Sequence, residues 1–181
     1  MKWFIASDIH GSACWCRKML ECYKAEKADR MLLLGDILYH GPRNDLPAEY
    51  APKAVIEMLN NIKDEIINVR GNCDTEVDQM VLQFPVLADY AYIADEKATI
   101  FATHGHIYNA ENMPPLKNGD VLLHGHTHVP ACEQHSGITY INPGSVSIPK
   151  ENSHHGYIIF ENRRFIWKDF DSEIHMQFML S

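Results

Sequence analysis

The chain of 181 residues carries 16 Lys and Arg against 24 Asp and Glu, a formal charge of −8 with histidines neutral. A hydrophobic fraction of 46% with 22% charged residues describes a chain able to bury one core, and excludes a disordered one. The acidic balance argues against a protein that grips long nucleic acid through its phosphates, which would need a basic stripe.

Lys2 to Ala6 is an apolar run without polar alternation, expected as a strand buried on both faces, and it stops at Asp8-Ile9-His10-Gly11. Ser12 is placed to cap a helix whose apolar positions Ala13, Cys16, Met19, Leu20 and Tyr23 keep helical spacing. Met31 to Leu34 reads as a second buried strand, ending at Gly35-Asp36. The stretch from Tyr39 to Pro52 holds three prolines and is long for a loop in a compact domain, a length common in functional loops. Pro52 suits the first turn of a helix carried on by Val55, Ile56, Leu59 and Ile62. Ile66 to Val69 is a third strand that runs into Arg70-Gly71-Asn72-Cys73-Asp74, and Asp74 or Thr75 would cap a short helix through Leu82.

From Val86 the texture changes. Val86 to Ile93 and Thr99 to Thr103 are expected as strands joined by a charged turn at Asp95-Glu96-Lys97, the second ending at His104-Gly105-His106. Pro114-Pro115 allows a short helix at most, and Val121-Leu122-Leu123 then runs into His124-Gly125-His126-Thr127-His128. Cys132–His135 with Ile138–Asn142, and Tyr157–Phe160 with Phe165–Trp167, read as hairpins across Ser136-Gly137 and Asn162-Arg163. Glu173 to Leu180 adds a last strand whose Met176, Phe178 and Leu180 face core or a homo-oligomer contact. A βαβαβα order followed by mostly β is satisfied by two stacked sheets flanked by helices, an α/β fold in one domain over 1–181.

Five cysteines without a CxxC pair fit a reduced compartment. The N-terminal apolar run is too short for a signal sequence, and no stretch approaches membrane-spanning length. The expectation is a cytoplasmic protein with no membrane partner.

Asp8, His10, Asp36, Asn72, His104, His126 and His128 all lie just past the carboxyl end of an apolar strand, the edge where open α/β sheets bind ligands. Carboxylate, imidazole and amide oxygen suit Mn2+, Fe2+ or Zn2+ better than a structural zinc knot. Seven donors exceed the needs of one ion. Two ions about 3.5–4 Å apart that share a carboxylate use them well, and that is the arrangement for in-line displacement at phosphorus. Ordinary hydrogen bonding explains the set poorly, because unpaired buried carboxylates are costly. His106 and His124 are candidates to orient a ligand, touch substrate or fill space. Arg43, Asn44 and His40 on the long loop are candidate substrate contacts, with a solvated loop as the alternative. Asp74 either caps a helix or holds a loop near the metals, and His154-His155 is read as an exposed pair.

In this order, Asp-x-His, Gly-Asp, Gly-Asn, His-Gly-His and Gly-His-x-His resemble the calcineurin-like metallophosphoesterase superfamily. His-Gly-Pro-Arg-Asn at 40–44, the Cys after Gly-Asn and Asn-Pro-Gly-Ser-Val-Ser-Ile-Pro at 142–149 are similar to its small bacterial YfcE-type phosphodiesterases. The resemblance implies a four-layer αββα sandwich of two mixed sheets. It also implies a metal-dependent phosphodiesterase that hydrolyses small phosphodiesters with a hydroxide bridging two metal ions. By the same resemblance, Asp8, His10, Asp36 and His128 hold one ion, and Asp36 bridges to a second completed by Asn72, His104 and His126. Mn2+ is the implied metal, with Zn2+, Fe2+ or Ni2+ as alternatives, and the catalytic set is Asp36, Asn72, Cys73 and His104.

Two departures from the family pattern matter. Most relatives place a His after Gly-Asn to protonate the leaving oxygen, and here the residue is Cys73. A thiol can donate a proton, or lose it beside two cations, so a modest catalyst favouring good leaving groups is expected. After Gly-Asp the run is Ile37-Leu38-Tyr39-His40 where many relatives have a further Asp and Arg, and the pattern resumes only at Arg43. Other functions compatible with the fold are a non-catalytic scaffold like the retromer subunit, which tolerates ligand losses not seen here, and a phosphomonoesterase or protein phosphatase.

Overall fold

β1 (Trp3–Ala6), β2 (Arg30–Leu33) and β3 (Ile66–Asn68) pair in parallel in a computed structural model that describes residues 1–95 and 97–180. The crossovers are helical: α1 (Ala13–Glu26) joins β1 to β2, and α2 (Pro52–Asn60) precedes β3. A short α3 (Glu76–Gln79) follows. The remaining strands are β4 (Tyr90–Ala94), β5 (Thr99–Thr103), β6 (Val121–Leu123), β7 (Pro130–His135), β8 (Ile138–Pro143), β9 (Gly156–Glu161), β10 (Arg164–Asp169) and β11 (Ile174–Met179). They complete two mixed sheets, ordered β11-β10-β9-β1-β2-β3 and β4-β5-β6-β8-β7.

Side-chain alternation along these strands builds the layers. Phe4, Ala6, Met31, Leu33, Tyr157 and Ile159 face the helices, while Trp3, Ile5, Leu32, Ile158 and Phe160 face the second sheet. In that sheet Ile100, Ala102, Val121, Leu123 and Ile141 point inward to the same core. Phe101, Leu122, Ile138 and Tyr140 point outward, where Tyr108 and Leu116 cover them. The outer layer over this sheet is thus irregular chain. Pro114-Pro115 forms a turn closed by the Leu116 amide on the Pro114 carbonyl, at 2.7 Å, and no helix.

Several local expectations differ from what forms. Val86 to Asp89 is not strand: the Val86 amide donates to Gln79 Oε1 at 2.9 Å, and the Ala88 carbonyl accepts from the Arg70 amide at 2.7 Å. Ser12 occupies the N-cap position of α1, but its hydroxyl donates to the Ala48 carbonyl at 2.6 Å and so pins the long loop. Thr75, not Asp74, caps α3, its amide donating to the Asp78 carboxylate at 2.7 Å. In the charged turn, Glu96 lies outside the described residues. The expected exposed pair His154-His155 is half-buried. His154 stacks on His175 with centroids 3.7 Å apart and His155 on Trp15 at 3.6 Å, because imidazole offers a flat face to pack.

β1, β2 and β3 run parallel in one sheet and β5, β6 and β8 in the other, so each sheet delivers three carboxyl ends together. The two sets meet at a single rim, stitched across the sheets by the Val146 amide on the Ser7 carbonyl at 2.9 Å.

Candidate metal centre

At that rim the chain must turn sharply while aiming its side chains inward. Asp8, His10, Asp36, His126 and His128 all adopt positive φ, from 48° to 68°. Such a conformation is uncommon for residues with a Cβ and costs on the order of 1–3 kcal/mol each. Surrounding bonds hold it. The amides of Asp8 and His10 donate to the carbonyls of Gly35 and Asp36 at 3.1 and 2.9 Å, and the Ser145 hydroxyl donates to the Asp8 carbonyl at 2.9 Å. Two glycines permit the close approach of these turns. A Cβ on Gly71 would overlap the Asp36 carboxylate, and one on Gly125 would overlap the Ser7 hydroxyl.

The imidazole tautomers follow from backbone partners. Nδ1 of His10, His104 and His128 lies 2.7, 2.6 and 2.6 Å from the carbonyls of Tyr39, Leu34 and Ile148. A carbonyl only accepts, so each Nδ1 carries the proton and each Nε2 presents a lone pair. The Nε2 atoms of His10 and His128 nevertheless face each other at 3.2 Å, with Asp8 Oδ1 3.5 and 3.2 Å away. Asp8 Oδ2 accepts from the Ser7 hydroxyl at 2.6 Å and the His126 amide at 3.1 Å. Oδ1 is buried without a hydrogen-bond donor among the described residues. These three donor atoms lie within 4.8 Å of one another, a cluster that could hold a cation between them. Burial opposes charge on both groups, yet their pairing prevails, holding Asp8 well below the carboxylate range and raising His10.

A second group of donors lies alongside. His104 Nε2 is 3.1 Å from Asn72 Oδ1 and 3.1 Å from His126 Nδ1. Asp36 Oδ2 stands between the groups, 3.5 Å from His104 Nε2 and 3.7 Å from His10 Nε2, while its Oδ1 accepts from the Cys73 amide at 2.8 Å. Burial, reinforced by His104, lowers His126 to about 4, so its ring is neutral near pH 7. The donor set fits two divalent ions with Asp36 shared. The seven sequence-predicted ligand residues are all brought to this one rim.

Asp74 holds this arrangement from behind and caps nothing. Its carboxylate accepts from the amides of Asp36, Ile37 and Gly71 at 2.8, 2.9 and 2.7 Å. Burial pushes its pKa up to about 6 against the pull of those amides. The Cys73 thiol, 7% exposed, accepts from Asn72 Nδ2 at 3.2 Å, and burial with Asp36 beside it pushes its pKa up. Cys73 Sγ also lies close enough to His10 and Asp36 to share an ion with them.

The remaining candidates separate. The His106 ring centroid is 5.4 Å from that of His104, and burial lowers the pKa of both His106 and His124. Arg43 and Asn44 line a cavity of about 420 Å³ that opens onto Asp36, Asn72, Cys73 and His128. His40 is not among its lining residues. Its ring packs edge-on against Tyr39 and Tyr50, at 4.8 and 5.2 Å, and its carbonyl accepts from Asn44 Nδ2 at 2.8 Å. Two further lining residues, Thr127 and Lys150, were not singled out in the sequence. The usable signal was the position of Lys150 directly after the 142–149 stretch.

Comparison with known proteins bears on this geometry. Residues 1–164 match the family model of the calcineurin-like phosphoesterase superfamily domain. The phosphodiesterase YfcE of Escherichia coli (strain K12) is 49% identical over 162 residues, covering 90% of this chain and 88% of its own length. The solved structure of the E. coli phosphoesterase YfcE superposes with a TM-score of 0.96 at 45% identity, with 100% of both chains covered. Vps29 of Chaetomium thermophilum gives a TM-score of 0.63 at 15% identity over 100% of both chains, a likeness of fold alone.

Proposed function

Because the chain belongs to the calcineurin-like phosphoesterase superfamily, we propose that its rim residues hold two divalent cations and present a small phosphodiester for hydrolysis. The protein is a metal-dependent phosphodiesterase. In this reading Asp8, His10 and His128 hold one ion, Asn72, His104 and His126 hold the other, and Asp36 is shared. Mn2+ is the proposed ion, and the chain works as one domain in the cytoplasm.

Bound there, the cations supply the positive charge that acidifies water and stabilises phosphoryl oxygens. The protein supplies the rest. Backbone carbonyls on three Nδ1 atoms fix the imidazoles in the ligating tautomer, so little reorganisation is left for the moment of reaction. Asn72 orients through both ends of its amide, Oδ1 toward His104 and Nδ2 toward Cys73. Arg43 and Asn44 line the substrate cavity and are the loop's candidate substrate contacts. Cys73 is the group nearest in kind to a proton donor for the leaving oxygen, and a thiol is a weaker acid than the imidazolium most relatives place there. Esters whose leaving group departs without protonation are therefore the favoured substrates.

The observation that carries this reading is the pair of lone-pair clusters joined through Asp36 Oδ2. The test is hydrolysis of bis(p-nitrophenyl) phosphate by Mn2+-loaded protein beside its Asp36→Asn variant. Turnover in the first and its loss in the second, with an unchanged circular dichroism spectrum, support the reading. Equal rates overturn it.

A further inference from the structure

The cavity beyond the donor set has an unusual wall. Its lining contains Arg43 and Lys150 and no Phe, Tyr, Trp, Leu, Ile, Val or Met side chain, and its one carboxylate is Asp36. Arg43 and Lys150 come from different loops, and among the described residues neither forms an ion pair. The Lys150 backbone is fixed: its amide donates to the His128 carbonyl at 3.1 Å and its carbonyl accepts from the Ser153 hydroxyl at 2.6 Å. Its side chain is exposed. The neighbouring cavity, of about 550 Å³, differs in kind, with Glu111, Glu133, Glu151, Val129 and Tyr140 in its wall.

From this contrast we infer that Lys150 and Arg43 form a specificity subsite for a second anionic group, so that the preferred substrate is a small phosphodiester whose retained arm carries a carboxylate or phosphate. The inference rests on the phosphodiesterase reading and deepens it. Asp36, the one carboxylate of this wall, would be offset by the cations it shares. Two further cations beside them leave the cavity electropositive in a chain of net charge −8. An arm bearing its own negative charge resolves that surplus. A nucleoside arm would find no apolar aromatic face to stack on.

The test holds the leaving group constant and varies only the other arm. Carboxypropyl p-nitrophenyl phosphate is compared with its neutral isostere, carbamoylpropyl p-nitrophenyl phosphate, using Mn2+-loaded protein. The corresponding non-hydrolysable phosphonate monoesters are titrated by calorimetry. We expect kcat/KM and Kd to favour the carboxylate by about fivefold, the scale of solvent-exposed charge pairs. That ratio falls toward one in Lys150→Met and in Arg43→Met and is kept in Lys150→Arg. A ratio of one in the unmodified protein overturns the subsite while leaving the phosphodiesterase reading intact, as does a ratio unchanged in both Met variants. Failure to hydrolyse either ester removes the phosphodiesterase reading and the subsite with it.

Discussion

Asp74 grips Asp36 through the main chain, its Oδ2 accepting the Asp36 amide at 2.8 Å and the Gly71 amide at 2.7 Å. The bridging candidate is thereby held on a loop with positive φ that would otherwise relax. Asp74→Asn replaces one acceptor oxygen with a donor facing backbone N–H groups. We expect Mn2+ affinity to fall about 10- to 100-fold, as for other residues that orient ligands without touching metal. Isothermal titration with Mn2+ measures this, and an unchanged affinity would assign Asp74 to folding alone.

Gly71→Ala forces a Cβ into the Asp36 backbone amide and into its carboxylate, whose Oδ1 the Cys73 amide already holds in place. The expected result is a loss of about 2–4 kcal/mol, in the range of other severe backbone clashes. Chemical denaturation measures the stability. Gly119→Ala is the control, since a Cβ there meets nothing within 4 Å; its own penalty comes only from a φ of 93°.

Cys73→His supplies a group whose ordinary pKa lies near neutrality in place of a more weakly acidic thiol. Turnover of a diester with an alkyl leaving group should rise, by about tenfold or more given the usual worth of a general acid. Hydrolysis of bis(p-nitrophenyl) phosphate should change little by comparison. No gain on the alkyl ester would show that leaving-group protonation does not limit this enzyme.

In protein stripped of metal by chelation, His126 ties stability to pH. Its folded pKa, about 4, lies below the usual 6.5, so between those values the unfolded chain binds more protons than the folded one. Stability from this group therefore rises as pH rises from about 4 to 6.5 and is lost on acidification through that window. Urea melts at several pH values should show a flatter profile over it for His126→Gln. Saturating Mn2+ should stabilise the unmodified protein by mass action and lose that effect as acid protonates the ligands.

Much of the site was legible along the chain because strand ends are legible. Apolar runs such as Phe4-Ile5-Ala6 and Leu122-Leu123 announce buried strands, and the polar residues straight after them can only sit at the sheet rim. What stayed hidden depended on partners distant in sequence. Nothing local in Asp74 shows that it accepts from the Asp36 and Ile37 amides, nor in Ser12 that it turns to Ala48. Val86 has strand propensity but spends its amide on Gln79. The stacking of His154 on His175 and of His155 on Trp15 leaves no periodic trace in the sequence. A single lysine such as Lys150 becomes meaningful only when a loop from elsewhere sets Arg43 in the same cavity wall.

The most direct test is anomalous diffraction from crystals grown in Mn2+, recorded at the manganese edge. Two peaks should flank Asp36 about 3.5–4 Å apart, one within reach of Asp8, His10 and His128 and the other of Asn72, His104 and His126. A single peak, or two that share no oxygen of Asp36, would contradict a dinuclear centre.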